Sequence, residues 1–173
     1  LSDGYTKVLG YWQPGITGPY DEVPRSEVHD AVADAFRRFR VVKLYADPPD
    51  WDSEIADWKA AHGDLVKGWH TGRDRAMALA TYAFWVDLGG SEGEPPAICH
   101  DGDPLLRGHI LAADRRPSKI WVDEDTRLWT IGKPSDGRKI DLHVCAILAH
   151  EARRDAIAAG LGSGEPDESE ILW

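Results

Sequence analysis

The chain is short of several things, and each shortage closes off a class of protein. It has two cysteines, Cys99 and Cys145, in 173 residues, too few for a disulfide framework or a cysteine-rich zinc module. A cytoplasmic, reduced setting is therefore the expectation. No apolar run approaches the ~20 residues that cross a bilayer, and no basic-then-apolar leader precedes the first turn, so no membrane partner is expected. There is no G-x-x-x-x-G-K-[ST] phosphate loop, no dinucleotide fingerprint among Gly15, Gly18, Gly89 and Gly90, and no G-x-S-x-G elbow. The histidines never fall at H-x-x-x-H spacing and the cysteines never at C-x-x-C, which argues against zinc.

Positive charge is also scarce. Twenty basic residues face thirty acidic ones, a net charge of −10, which excludes a phosphate-hugging surface of the histone or repressor kind. Four of the acids (Glu165, Asp167, Glu168 and Glu170) sit in a tail without Lys or Arg, and the body without them is still −6. Any contact with nucleic acid must be local or bridged by metal cations.

What remains is 42% hydrophobic and 29% charged, enough for one packed domain. Tyr5 to Trp12 reads as a strand that follows an Asp3-Gly4 hairpin turn. Its partner strand is expected upstream of Leu1, and the chain, which starts without Met, is expected to be a piece of something longer. A helix from Pro24 or Ser26 to about Arg40 carries the stripe Val28, Val32, Ala35, Phe36 and Phe39. Val41 to Tyr45 is a buried strand stopped by Asp47-Pro48-Pro49. A helix capped by Asp52 and Ser53, a strand from Leu65 to Trp69 and a helix from Arg73 to Leu88 follow. That rhythm predicts right-handed crossovers on a parallel sheet. Ala97 to His100 reads as a strand end and Pro104 to about Ala113 as a helix. Lys119 to Val122 and Leu128 to Ile131 make a hairpin, and Ile140 to Ala159 is the strongest helix. Seven of the eight tryptophans fall inside these elements and are expected in or beside the core. Cys99 reads as a buried structural thiol. Residues 1–160 are expected to form one domain and 161–173 an acidic disordered tail.

Two aspartates stand out. Asp47 lies just past the carboxyl end of a buried strand, where open α/β sheets place ligands, although a strand-ending turn residue would sit there too. Asp141 opens the last helix, where a helical wheel groups it with Val144, Cys145, Leu148 and Ala152 on the expected core side. There it serves either the helix terminus or a metal ion. Together they suit divalent cations that hydrolyse phosphodiesters. Lys133, Arg138 and Lys139, just before Asp141, read either as phosphate contacts or as a solvated basic patch.

Five segments occur in order: Val23-Pro24-Arg25, the run Val41-Val42-Lys43-Leu44-Tyr45-Ala46-Asp47-Pro48-Pro49-Asp50-Trp51, Trp69-His70-Thr71, His100-Asp101-Gly102-Asp103-Pro104 with His109, and Lys139-Ile140-Asp141 leading into Ala146 and Ala149. In order and spacing over roughly residues 4 to 160, they resemble the carboxyl-terminal nuclease domain of the large terminase subunit of tailed phages and prophages. The resemblance implies a ribonuclease H-like mixed sheet flanked by helices, here with an added β-hairpin. It also implies an endonuclease that cuts concatemeric viral DNA with Mg²⁺ or Mn²⁺. The family's acidic cluster maps onto Asp47 and Asp141, with Asp101 and His143 placed near the same rim. Double-stranded DNA, the terminase motor domain, the small subunit and the portal are the implied partners. The family's first aspartate lies on a strand expected before Asp3-Gly4, so this chain alone is expected to bind metal weakly and to cut slowly or not at all. The rival readings are an inert module docking to portal or small subunit, and a ribonuclease H-like enzyme acting on RNA–DNA hybrids or recombination junctions.

Overall fold

Strand β2 (Leu44–Ala46) organises the molecule. A computed structural model describes residues 4–16, 18, 21–90, 93, 95–135 and 137–161. Asp3 of the expected turn and residues 162–173 of the expected tail lie outside them. β2 pairs in parallel with β3 (Val66–Gly68), Leu44 opposite Val66 and Ala46 opposite Gly68. The crossover between them is α2 (Asp52–His62) and a 3₁₀ turn, Gly63–Leu65. Because successive side chains on a strand point to opposite faces, Leu44 and Ala46 go one way and Tyr45 the other. Leu44 and Ala46 meet Ile55, Trp58 and Val66, with Val28, Val32 and Phe36 of α1 (Arg25–Arg38) packed alongside. Tyr45 joins a larger core with Met77, Ala80 and Phe84 of α3 (Asp74–Gly89), Leu106 of α4 (Pro104–Ala112), and Ile147 and Leu148 of α5 (Asp141–Ala158). The fold is mixed α/β, with helices on both faces of the β2–β3 pair.

The single parallel sheet expected from the sequence is not what forms. Hydrogen-bonded strands among the described residues fall into three pairs: β2 with β3, β1 (Tyr5–Thr6) in parallel with β4 (Cys99–His100), and β5 (Asp114–Trp121) antiparallel to β6 (Arg127–Gly132). The expected strand from Tyr5 to Trp12 pairs over two residues only. Its later polar groups turn instead to side chains, with the Tyr11 hydroxyl donating to Gln13 and the Trp12 indole donating to Glu27 at 2.9 Å. Gly4 fixes how β1 enters. Its φ of +83° is open to glycine, and a Cβ there would lie 1.9 Å from the Ala97 carbonyl oxygen. Cys99 is exposed rather than buried, because β4 stands at the margin of its short pair.

The helices match their expected positions within a few residues, for identifiable reasons. Asp103 caps α4, its carboxylate accepting the N–H groups of Leu105 and Leu106 at 2.8 and 2.9 Å, and Pro104 follows at the first helical position. Asp52 and Ser53 do not cap α2 through their side chains; Arg25 reaches over from α1 to Glu54 in its first turn instead. In the hairpin, Asp123 turns the chain by accepting the N–H groups of Asp125 and Thr126. Leu128, 1% exposed, and Trp129, whose ring lies 5.9 Å from that of Trp85 on α3, attach it to the body. Trp121, 53% exposed near the hairpin tip, departs from the expectation that the tryptophans are core residues.

Ile147 is 0% exposed at the centre of the larger core, so truncating it leaves a cavity. Ile147→Ala is expected to cost about 2–5 kcal/mol in urea unfolding, whereas Leu111→Ala, at a position 63% exposed, leaves the midpoint nearly unchanged.

Candidate functional site

Asp47 is held rather than merely placed. Pro48 and Pro49 end β2, and Pro48 packs against Gly68, where a Cβ would come 3.2 Å from its ring. Asp50 then turns the chain with φ of 66°, and Arg25 donates to its carbonyl at 2.9 Å. Beyond β3 the strands stay in register, the Trp69 N–H donating to the Ala46 carbonyl at 2.7 Å. That brings Thr71 to Asp47. The Thr71 N–H donates to Oδ1 at 3.1 Å and its hydroxyl to Oδ2 at 2.5 Å. Each carboxylate oxygen therefore accepts one bond and keeps lone-pair capacity for a cation. Ending the strand and presenting a fixed carboxylate are compatible roles.

Asp141 lies at the first turn of α5, but not on its buried side. The side chain is 54% exposed and pairs with Lys133, Nζ to Oδ1 at 3.5 Å. Contrary to the expected inward stripe, Asp141 and Cys145 are exposed at the start of the helix, and that side becomes buried only at Leu148 and Ala152. The deepest residues are on another side, Leu142, His143, Ala146, Ile147 and His150.

Ile140, before the helix, gives it no side-chain cap; His109 of α4 does so from outside. Its Nδ1 accepts the Leu142 N–H at 3.1 Å. An acceptor at Nδ1 puts the imidazole proton on Nε2, which faces the Tyr11 hydroxyl at 3.3 Å. Burial lowers the His109 pKa and keeps this neutral tautomer, although the Asp141 charge works in the opposite direction. Tyr11 is raised by burial and then by the same Asp141.

Cys145 follows Asp141 by one turn of α5. Its thiol pKa is raised by desolvation first and then by the negative charges of Asp141 and of Asp47. One side chain, a turn into α5, thus feels a carboxylate from the end of β2 and one from the start of the helix. α5 packs across β2.

The other two sequence candidates stand elsewhere. Asp101 sits in the exposed loop after β4, where its Oδ1 accepts the Asp103 N–H at 3.1 Å. His143 is fully buried, its ring 5.8 Å from Phe84 and 5.7 Å from Trp85, with no hydrogen-bond partner at either nitrogen. Two residues along a helix is about 200° around it, so His143 points into the core while Asp141 faces out. Among the described residues, no three His, Cys, Asp or Glu side chains converge as a metal cage.

The chain is 32% identical over 164 residues to the Gene 13 protein of Mycobacterium phage D29, and 31% identical over 164 residues to the Gene 13 protein of Mycobacterium phage L5. These relatives are phage proteins. Each match covers 90% of this chain and 26% of the relative, so the chain spans about a quarter of their length. No family model and no solved structure matches the chain. No helix among the described residues is long and apolar enough to cross a membrane.

Three buried histidines give the protein a signature in acid. His109, His143 and His150 all have pKa values lowered by burial, that of His143 to about 4; for His150 the Asp87 carboxylate, 2.8 Å from Nε2, opposes the shift. The unfolded chain binds protons that the folded chain excludes. Their contribution is fully present above pH ~6.5 and is lost as pH falls from there toward about 4. For His143 alone that loss is about 3 kcal/mol. Denaturant unfolding from pH 7 down to 4 is expected to show this fall, and His143→Leu to flatten it.

Proposed function

We propose that this chain is a divalent-metal-dependent DNA endonuclease domain with a ribonuclease H-like fold, part of the large subunit of a phage terminase, which cuts concatemeric viral DNA. The observation that carries the reading is the Asp47 carboxylate at the end of β2, held by the Thr71 N–H and hydroxyl with lone-pair capacity left for a cation. The parallel β2–α2–β3 unit and the closing helix α5 suit such a fold. The similarity to phage proteins about four times longer suits a domain of a larger machine.

The donor set fits a hard cation. Two carboxylates, with water completing the shell, are how Mg²⁺ is commonly held, and Mn²⁺ tolerates less regular coordination. A cation bound there would supply an activated water and positive charge against a phosphodiester. The chain's own residues do the positioning. Thr71 fixes the Asp47 carboxylate in one orientation, and the His109 bond to Leu142 fixes the backbone beside Asp141. Lys133 balances Asp141, and as an exposed pair worth about 0–1 kcal/mol it yields readily to a divalent ion.

Slow nicking of supercoiled plasmid is expected in Mn²⁺, and less in Mg²⁺. Asp47→Asn or Asp141→Asn abolishes it without unfolding the domain, and Thr71→Val lowers it roughly 10–100-fold, as loss of a ligand's supporting hydrogen bonds does. Nicking that survives both aspartate replacements would remove the nuclease reading and leave the docking module for portal or small subunit in its place.

A further inference from the structure

A cavity of about 280 Å³ opens between α4 and the segment that leads into α5. Gly108, His109 and Ala112 of α4 form one wall, and Gly137, Arg138 and Lys139 form the other. Three features set it apart. Among the described residues it is lined by two cationic side chains and by no carboxylate, in a chain whose net charge is −10. Its polar floor is preorganised: His109 is held neutral by the Leu142 N–H, and Tyr11 and Gln13 extend the chain of hydrogen bonds from it. The third feature is Gly108.

Glycine in the middle of a nine-residue helix is a poor choice, about 1 kcal/mol worse than alanine. Packing does not demand it, since a Cβ at Gly108 would meet nothing within 4 Å. Nor does its backbone require glycine, for Gly108 is not among the positive-φ residues. What the missing side chain preserves is the open volume of the cavity.

We propose that this cavity is an anion subsite that holds a phosphate group of the DNA backbone next to the one that would lie at Asp47 and Asp141. Lys139 and Arg138 supply the charge, and Gly108 leaves room for the strand to pass. That the phosphate belongs to a polynucleotide rests on the nuclease reading; a phosphate-accepting cavity does not. The subsite also gives an acidic protein the local contact with nucleic acid that its overall charge denies it.

The test is the binding of a short fluorescein-labelled duplex by the whole chain, followed by anisotropy in EDTA at low salt. With metal removed, the result does not depend on Asp47 and Asp141 acting as ligands. Wild type is expected to bind, and Lys139→Gln to bind several-fold more weakly with a slope of log K against log salt flatter by about 0.9, one phosphate contact. Gly108→Leu, which fills the cavity, is expected to weaken binding comparably, while Gly108→Ala raises the thermal midpoint. Binding unchanged in both Lys139→Gln and folded Gly108→Leu overturns the subsite, and so does the absence of wild-type binding. Inorganic phosphate at matched ionic strength is the second probe. If it displaces the duplex as well as unlabelled duplex does per phosphate, the cavity takes free phosphate and the backbone assignment falls. Plasmid nicking that survives the aspartate replacements would sink the nuclease reading and leave these binding differences standing.

Discussion

The acidic rim has a fixed shape because α5 is locked along its whole length. In the middle, Ile147 and its neighbours are buried against α3 and α4, and this burial is what makes the helix stable. Toward the far end, the Tyr45 hydroxyl on β2 donates to Asp155, and Lys67 on β3 approaches the same carboxylate at 3.7 Å. At the near end, His109 takes the Leu142 N–H that no local residue caps. A helix pinned to the strand pair at one end and capped from α4 at the other cannot rotate or slide. Asp141, in the first turn of that helix, is thereby fixed in place, as Asp47 at the end of β2 is by Thr71.

Charge is distributed in keeping with that frame. The protein is acidic overall, and the basic residues that bear on the rim come from the chain just before α5: Lys133 against Asp141, and Arg138 and Lys139 in the cavity wall. A polyanion approaching this segment meets cations, and on the proposed reading a divalent ion as well. The imidazole that organises the site is buried and neutral, so it contributes no charge of its own.

What was legible in the sequence follows from the length of the signal. α5 and α4 have long periodic runs or strong punctuation, and their expected limits lie close to those that form, as do those of the second hairpin strand; the first, expected from Lys119, begins at Asp114. The parallel sheet was not legible, because β1 to β4 are two or three residues long and pair in separate sets, too short for alternation to reveal partners. Asp47 was readable as a strand end. Thr71, 24 residues away, was not readable as its partner, since only the parallel register of β2 and β3 brings them together. The His109 cap spans 33 residues and has no local signature. Asp141 was given the wrong side because α5 is buried over a wide arc, from Leu142 and His143 round to Leu148 and Ala152, and a wheel with so broad an apolar face defines no single inward direction.

The central claim is that Asp47 and Asp141 share one cation. Paramagnetic broadening of amide NMR signals by substoichiometric Mn²⁺ tests it most directly, because the effect maps where the ion sits without requiring cleavage. The account predicts that the signals of Thr71, Leu142 and Cys145 vanish first, and that Asp47→Asn or Asp141→Asn restores all three together. Broadening centred instead on the hairpin tip around Asp123 to Asp125, or on the loop around Asp101, with Thr71 and Cys145 left sharp, would contradict it.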